Sequence, residues 1–188
     1  MSGIQRLLPL FHRRWAASVL VHLAHPDTAR TGRARVSAIA SMFGANREAV
    51  RQSVRALESV QAVERNPGHG HPLRPELRLT ERGQRLAPHF KALHDLLTEL
   101  GHRDLGLRKW PMPALYAVGA GPTRFGAISD QLPKVTDRAL SQALRRLREA
   151  ELIDRTMNED QPPRPVYQSI GRGLDVVTVL NDLVQTVD

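Results

Sequence analysis

A mainly helical chain with small β-hairpins, built as two tandem copies of one unit, is predicted by three features of the 188-residue sequence. The chain aligns with itself at an offset of 90 residues. Each copy repeats one order of helical periodicities and turn signals. Within each copy, one helix keeps its apolar residues on one side and arginine, glutamine and serine on the other.

The repeat is carried by identities. At the offset of 90, Ala49, Gln52, Arg55, Leu57, Arg65, Pro72, Arg74, Pro75, Arg82, Gly83 and Leu93 fall on identical residues between Ala139 and Leu183. Apolar residues fall on apolar ones, as Val50 on Leu140 and Val54 on Leu144. Upstream, a longer loop around "HPDTARTGR" changes the offset to 95, and Arg13, Arg14 and Trp15 pair with Arg108, Lys109 and Trp110. Insertions collect in surface loops, so this is the expected mode of drift. The division places one domain at 1–100 and a second at 101–188, each of ordinary size for a small domain.

The elements of the first copy follow in order. An apolar helix is expected over 11–24, stopped by "HPD", then a short helix over 37–43 ended by Gly44. Asn46 is a good N-cap for a helix over 46–60, whose Val50, Val54 and Leu57 recur at i, i+4 and i+7 and face inward. A hairpin follows, alternating around the Gly/Pro turn of "NPGHGHP". A helix over 81–100 carries Leu86, Phe90, Leu93, Leu97 and Leu100 on one seam and bends at Pro88. The second copy repeats the scheme, with its central helix over 136–150 and a last helix over 173–187. The broad apolar surface of Leu174, Val176, Val177, Leu180, Leu183 and Val184 requires a partner, and helix 81–100 is the expected one. Two lobes so joined form a pseudo-dimer rather than separated beads.

Helix, helix, tight turn, helix, hairpin, helix is the order of a winged helix-turn-helix domain, which offers its third helix to the major groove. The outward residues are Arg47, Glu48, Arg51, Gln52 and Arg55 in the first copy, and Arg138, Ser141, Gln142 and Arg145 in the second. Arginine pairs with the O6/N7 edge of guanine, glutamine with the N6/N7 edge of adenine, and serine with either. Arg65, Arg74 and Arg164 fall on or beside the wings. The competing reading is a charged, solvated helix face. Net charge of +8 favours an anionic partner, and double-stranded DNA is the commonest for a basic domain. Residues 1–100 carry 15 basic and 8 acidic side chains, against 12 and 11 in 101–188, so the first lobe is expected to supply most of the non-specific affinity.

"RKW", "GPTRFGAISDQLPKVTDRALSQALRRLREAELIDR" and "PPRPVY" together resemble the HxlR-type winged-helix transcriptional regulators over residues 108–184. The first copy resembles them more faintly, through Trp15, Arg35, the helix over 46–60, Arg74 and "LTERG". The resemblance implies DNA-binding regulators that pair as homodimers through their first and last helices. It makes Arg138, Ser141 and Gln142 reading-helix residues and Arg164 a wing residue. Arg108 and Glu151 stand where that family carries glycine, and the cysteine some members use for sensing is missing. What relatives build from two subunits, this chain can build from itself.

Other chemistry is less supported. His69 and His71 share one side of an extended wing and His89 and His94 share a helix, but no cysteine or carboxylate stands at ligand spacing, so no metal and no cofactor are expected. No G-x-S-x-G elbow, Walker loop or H-E-x-x-H is present, and an enzyme is not expected. Trp15 and Trp110 hold equivalent places and can frame a pocket for a flat effector between the lobes, or they are packed core residues. Arg6, Arg13 and Arg14 interrupt any secretory signal, and a cytoplasmic location is expected. The reading is a sequence-specific transcriptional regulator, a repressor that acts as a monomeric pseudo-dimer and is open to further homodimerisation. Its alternative is a small-molecule-binding or drug-sequestering protein on a winged-helix scaffold that has lost DNA binding.

Overall fold

A computed structural model describes residues 2–66 and 75–187. The chain opens with α1 (Gly3–Phe11), a helix missing from the expectation. Ser2 starts it by a reciprocal capping box, in which Gln5 N donates to Ser2 Oγ and Ser2 N donates to Gln5 Oε1. The helix expected over 11–24 is therefore shorter, α2 (Ala16–Leu23). Phe11 belongs to α1 and packs on Phe90 with ring centroids 5.6 Å apart, while Trp15 leaves the helical region and forms the N-cap of α2. Then come α3 (Asp27–Arg30), α4 (Val36–Met42), α5 (Arg47–Ser59), β1 (Val63–Asn66), β2 (Glu76–Leu79) and α6 (Glu81–Glu99). A 3-10 turn (Arg103–Leu107) leads to α7 (Pro111–Val118), β3 (Thr123–Arg124), α8 (Phe125–Gln131), α9 (Asp137–Glu149), β4 (Ile153–Met157), β5 (Pro165–Ser169) and α10 (Arg172–Thr186).

The sheets repeat in register. Val63 faces Leu79 across β1–β2, and Ile153 faces Ser169 across β4–β5, each pair displaced from the other by the repeat length. The second sheet is not the simple hairpin expected: β3 adds to β5, giving the order β3-β5-β4. In the first copy the same pairing shrinks to one bond, Leu77 N to Ala34 O at 2.9 Å.

α5 and α9 are built alike. Asn46 Oδ1 accepts from Glu48 N at 2.7 Å, and Thr136 Oγ1 accepts from Ala139 N at 3.2 Å, each satisfying a donor the helix itself cannot. Val50, Val54 and Leu57 are fully buried, as are Leu140 and Leu147, with Leu144 nearly so. Both helices end in the same reversal: Ala62 N donates to Leu57 O and Leu152 N to Leu147 O, at 2.9 Å in each case. The residues that turn the chain are Gln61 and Glu151, at φ of 55° and 54°. That conformation costs a side-chain-bearing residue about 1–2 kcal/mol, partly offset by glycine's freer unfolded state. Gln61→Gly and Glu151→Gly should therefore each raise the unfolding free energy by about 0.5–1 kcal/mol in urea titrations. No gain at either position would show that their side chains stabilise the reversal in another way.

The two copies close on each other through α6 and α10, as the apolar seam requires. Leu86, Phe90, Leu93 and Leu97 are buried on α6, and Val176, Val177, Leu180, Leu183 and Val184 on α10. Leu174 is the exception at 52% exposed, because it shares the solvent stripe of Thr178 and Asn181. Leu100 is only half-buried at the end of its seam. The ends are tied reciprocally by residues the repeat makes equivalent. Arg82 Nη2 donates to Val187 O at 2.6 Å, and Arg172 Nη2 to Glu99 Oε1 at 3.0 Å. Each guanidinium thus sits where the partner helix ends, the end that attracts cations. Thr186 Oγ1 and His89 Nε2 bond between them at 3.0 Å. α1 lies at the junction, against α2 and α5 of its own copy and α7 and α10 of the other.

Two glycines hold the wings to these helices. Thr80 N donates to Ala62 O and Ile170 N to Leu152 O, both at 3.2 Å. The same carbonyl oxygens lie 1.9 Å from where a Cβ would stand on Gly83 and Gly173.

Candidate nucleic-acid interface

The outward face of α5 presents Arg47, Glu48, Arg51 and Arg55 to solvent. It is internally tied. Arg51 bonds to Glu48 one turn earlier, and this bond, ahead of the remaining charges, holds the Glu48 carboxyl below the usual carboxylate range. Gln52 is only half-exposed, because its Oε1 accepts from Arg13 Nη1 at 3.0 Å. Arg65, on β1, turns back to Glu58 near the end of α5, with Nε to Oε1 at 2.7 Å.

α9 presents Arg138, Ser141, Gln142 and Arg145, all exposed. Arg145 approaches Glu149 at 3.7 Å, while Arg138 makes no ion pair among the described residues. Arg164 lies exposed before β5, where its N–H donates to Asn158 Oδ1 at 2.7 Å. Asp160 in the same wing bonds to Arg124. Arg74, His69 and His71 lie outside the described residues. Of the other histidines singled out, His89 bonds to Thr186, and His94 lies 3.3 Å from Asp95 on its own helix.

The two tryptophans line separate hollows. Trp15 stacks on Phe43, with centroids 5.4 Å apart, in a hollow of about 500 Å³ beside α5. Trp110 lines a separate hollow of about 290 Å³ beside α9. A larger apolar cleft, about 770 Å³, opens instead between α2, β2 and α6, where Val21, Leu77 and Ala87 line it. At the equivalent place in the second copy, the Val177 side chain comes within 2.5 Å of where a Cβ on Gly119 would lie. The first copy has Ala87 and Ala24 at those two positions. Sequence reasoning gave no role to Arg13, Arg14 or Lys109, and the tie from Arg13 to Gln52 spans 39 residues. The equivalence of "RRW" and "RKW" was the one signal pointing to them.

Among the described residues, no helix is long and apolar enough to cross a membrane. A family model described as HxlR-like helix-turn-helix matches the chain twice, at residues 10–104 and 106–188. An HTH-type transcriptional regulator of Methanothermobacter thermautotrophicus is 34% identical over 77 residues, which cover 41% of this chain and 59% of the relative. The regulator YkvN of Bacillus subtilis is 32% identical over 77 residues, 41% of this chain and 65% of YkvN. The chain thus spans about three fifths of the length of these curated relatives. Among solved structures, diamide-treated YodB from B. subtilis aligns with a TM-score of 0.39 and 20% identity, covering 51% of this chain and 86% of YodB.

Proposed function

The chain belongs to the HxlR-like helix-turn-helix family of transcriptional regulators, and on that premise we propose that it is a sequence-specific repressor reading double-stranded DNA with α5 and α9. The observation that carries this reading is the matched construction of these two helices. Each is capped at the same repeat position, buries the same apolar stripe and turns arginine and glutamine outward. Arg47, Arg51, Gln52 and Arg55 serve one half-site, and Arg138, Ser141, Gln142 and Arg145 the other. Arg65 and Arg164 contact flanking backbone from the wings, and Arg74 is a third phosphate contact. The working unit is a single chain of two lobes, 1–100 and 101–188, in the cytoplasm, which represses by covering its operator.

The test is retardation of the DNA upstream of the protein's own coding sequence, at two salt concentrations. Specific retardation should persist where unrelated DNA is released. The slope of log affinity against log salt should fall by about 0.9 for each phosphate contact removed, and charge removal in the first lobe should lower it more than in the second. Absence of any retardation at low salt would defeat the reading. It would favour a second one, small-molecule sequestration, for which the open cleft at Val21, Leu77 and Ala87 provides the room.

A further inference from the structure

The turns Arg13-Arg14-Trp15 and Arg108-Lys109-Trp110 are the same device built twice. In the first hollow, Arg13, Arg14 and Trp15 face Ala49, Gln52 and Ser53 of α5. In the second, Arg108, Lys109 and Trp110 face Ala139, Gln142 and Ala143 of α9. Every one of these pairs is related by the repeat. In each hollow a cation lies over the indole: the Arg14 guanidinium carbon is 4.9 Å from the Trp15 ring centre, and Lys109 Nζ is 4.3 Å from that of Trp110. No carboxylate among the described residues lines either hollow. Asp104, outside the second hollow, accepts from Arg108 Nε at 3.1 Å and lies 3.9 Å from Arg146.

We propose that each hollow seats one phosphodiester group of the DNA backbone, beside the base that the adjacent glutamine reads. The inference rests on the DNA-binding reading above. A cation held against an indole face has already lost much of its side-chain freedom, so closing on a phosphate costs it less than it would a free surface lysine. Phosphate contacts carry no sequence information but fix register and orientation. Gln52 and Gln142 form part of the hollow walls, so a phosphate held there fixes the distance from backbone to glutamine on both half-sites. The arrangement is continuous across the molecule. The His12 imidazole, at the end of α1, is held below its ordinary value by burial, then by Lys109 of one turn and Arg13 of the other. Trp15 and Trp110 are positioning residues, and Arg14 and Lys109 make the contact.

The chain has two tryptophans, so Trp15→Phe and Trp110→Phe each leave one fluorescent reporter in one hollow. Both reporters should respond to a short duplex of selected sequence and to an unrelated duplex. Inorganic phosphate should move neither at concentrations that leave the duplex bound. Arg14→Gln with Lys109→Gln should lower the salt slope by about 1.8 on both duplexes alike, and Arg14→Lys with Lys109→Arg should restore it. Lys91→Gln on α6 removes the same kind of charge and should leave the slope unchanged. A double variant with the slope of Lys91→Gln would overturn the inference, as would inorganic phosphate alone moving both reporters. Failure of the unaltered protein to bind any duplex is a separate result, and it would defeat the DNA reading itself.

Discussion

Gly173→Ala should cost the chain roughly 4 kcal/mol or more, enough to leave it unfolded or nearly so at 37 °C. An alanine Cβ would stand 1.9 Å from Leu152 O, 2.7 Å from Leu152 C and 3.0 Å from Leu152 Cα. All three are backbone atoms, so no side chain can swing away. Nor can the backbone yield freely. Leu152 N is bonded to Leu147 O at the end of α9, and Leu152 O accepts from Ile170 N where β5 passes into α10. Relief of the clash must loosen the helix end, the sheet or the packing of α10. Gly83→Ala should do the same to the first copy, where the obstructing atom is Ala62 O, also at 1.9 Å. Gly126→Ala is the control: it lies within α8 with nothing inside 4 Å of its Cβ position, and should be neutral or stabilising by up to about 1 kcal/mol. Guanidinium titration of the three variants decides the matter. A loss below about 1 kcal/mol at Gly173 would mean that the wing shifts at little cost.

Arg138→Glu combined with Ser141→Arg should weaken binding to the natural operator on the order of 100-fold. These substitutions give α9 the residues of α5 at the equivalent positions, Glu48 and Arg51, and leave the matched pairs Gln52 and Gln142, Arg55 and Arg145 in place. The native protein is expected to select an imperfect palindrome, with half-sites about one helical turn, or about 34 Å, apart, a shared adenine step and divergent neighbours. Two altered positions at about 1–3 kcal/mol each account for the loss. The double variant should gain a new preference, a more nearly symmetric inverted repeat still bound by one chain, with Asp137 remaining where α5 has Arg47. In vitro site selection with light scattering measures both. A native consensus that is already symmetric and bound by two chains would show that each molecule reads DNA with one lobe only.

Helices α5 and α9 were legible because their signals are local. Asn46 and Thr136 stand at the starts of the expected helices, and the i, i+4, i+7 stripes lie within one element. What sequence did not yield depends on partners far along the chain. β3 is two residues long and exists only because Tyr167 and Val166 of β5 lie opposite it. Gln52 looks free on a helical wheel, yet Arg13, from a turn 39 residues away, holds it. The division between Phe11 and α2 escaped notice because apolar spacing continues across the break at Arg13–Trp15. Identity at Gly83 and Gly173 marked the duplication, but that each leaves room for a carbonyl is visible only in three dimensions. Glu151 takes the turn without being glycine, as Gln61 does, so a helix end that favours glycine does not require it.

The reciprocal tie of Arg82 to the end of α10 and Arg172 to the end of α6 has a consequence for how such a molecule behaves when scarce. Its two halves are joined by covalent chain, so their association is governed by a fixed effective concentration rather than by the number of molecules in solution. Dilution cannot separate α5 from α9. A regulator assembled from two separate subunits loses its bivalent form as its level falls below the dissociation constant, and its occupancy then follows the square of its abundance. With one chain as the working unit, as proposed above, occupancy follows the first power, and a few copies per cell remain as competent, molecule for molecule, as many.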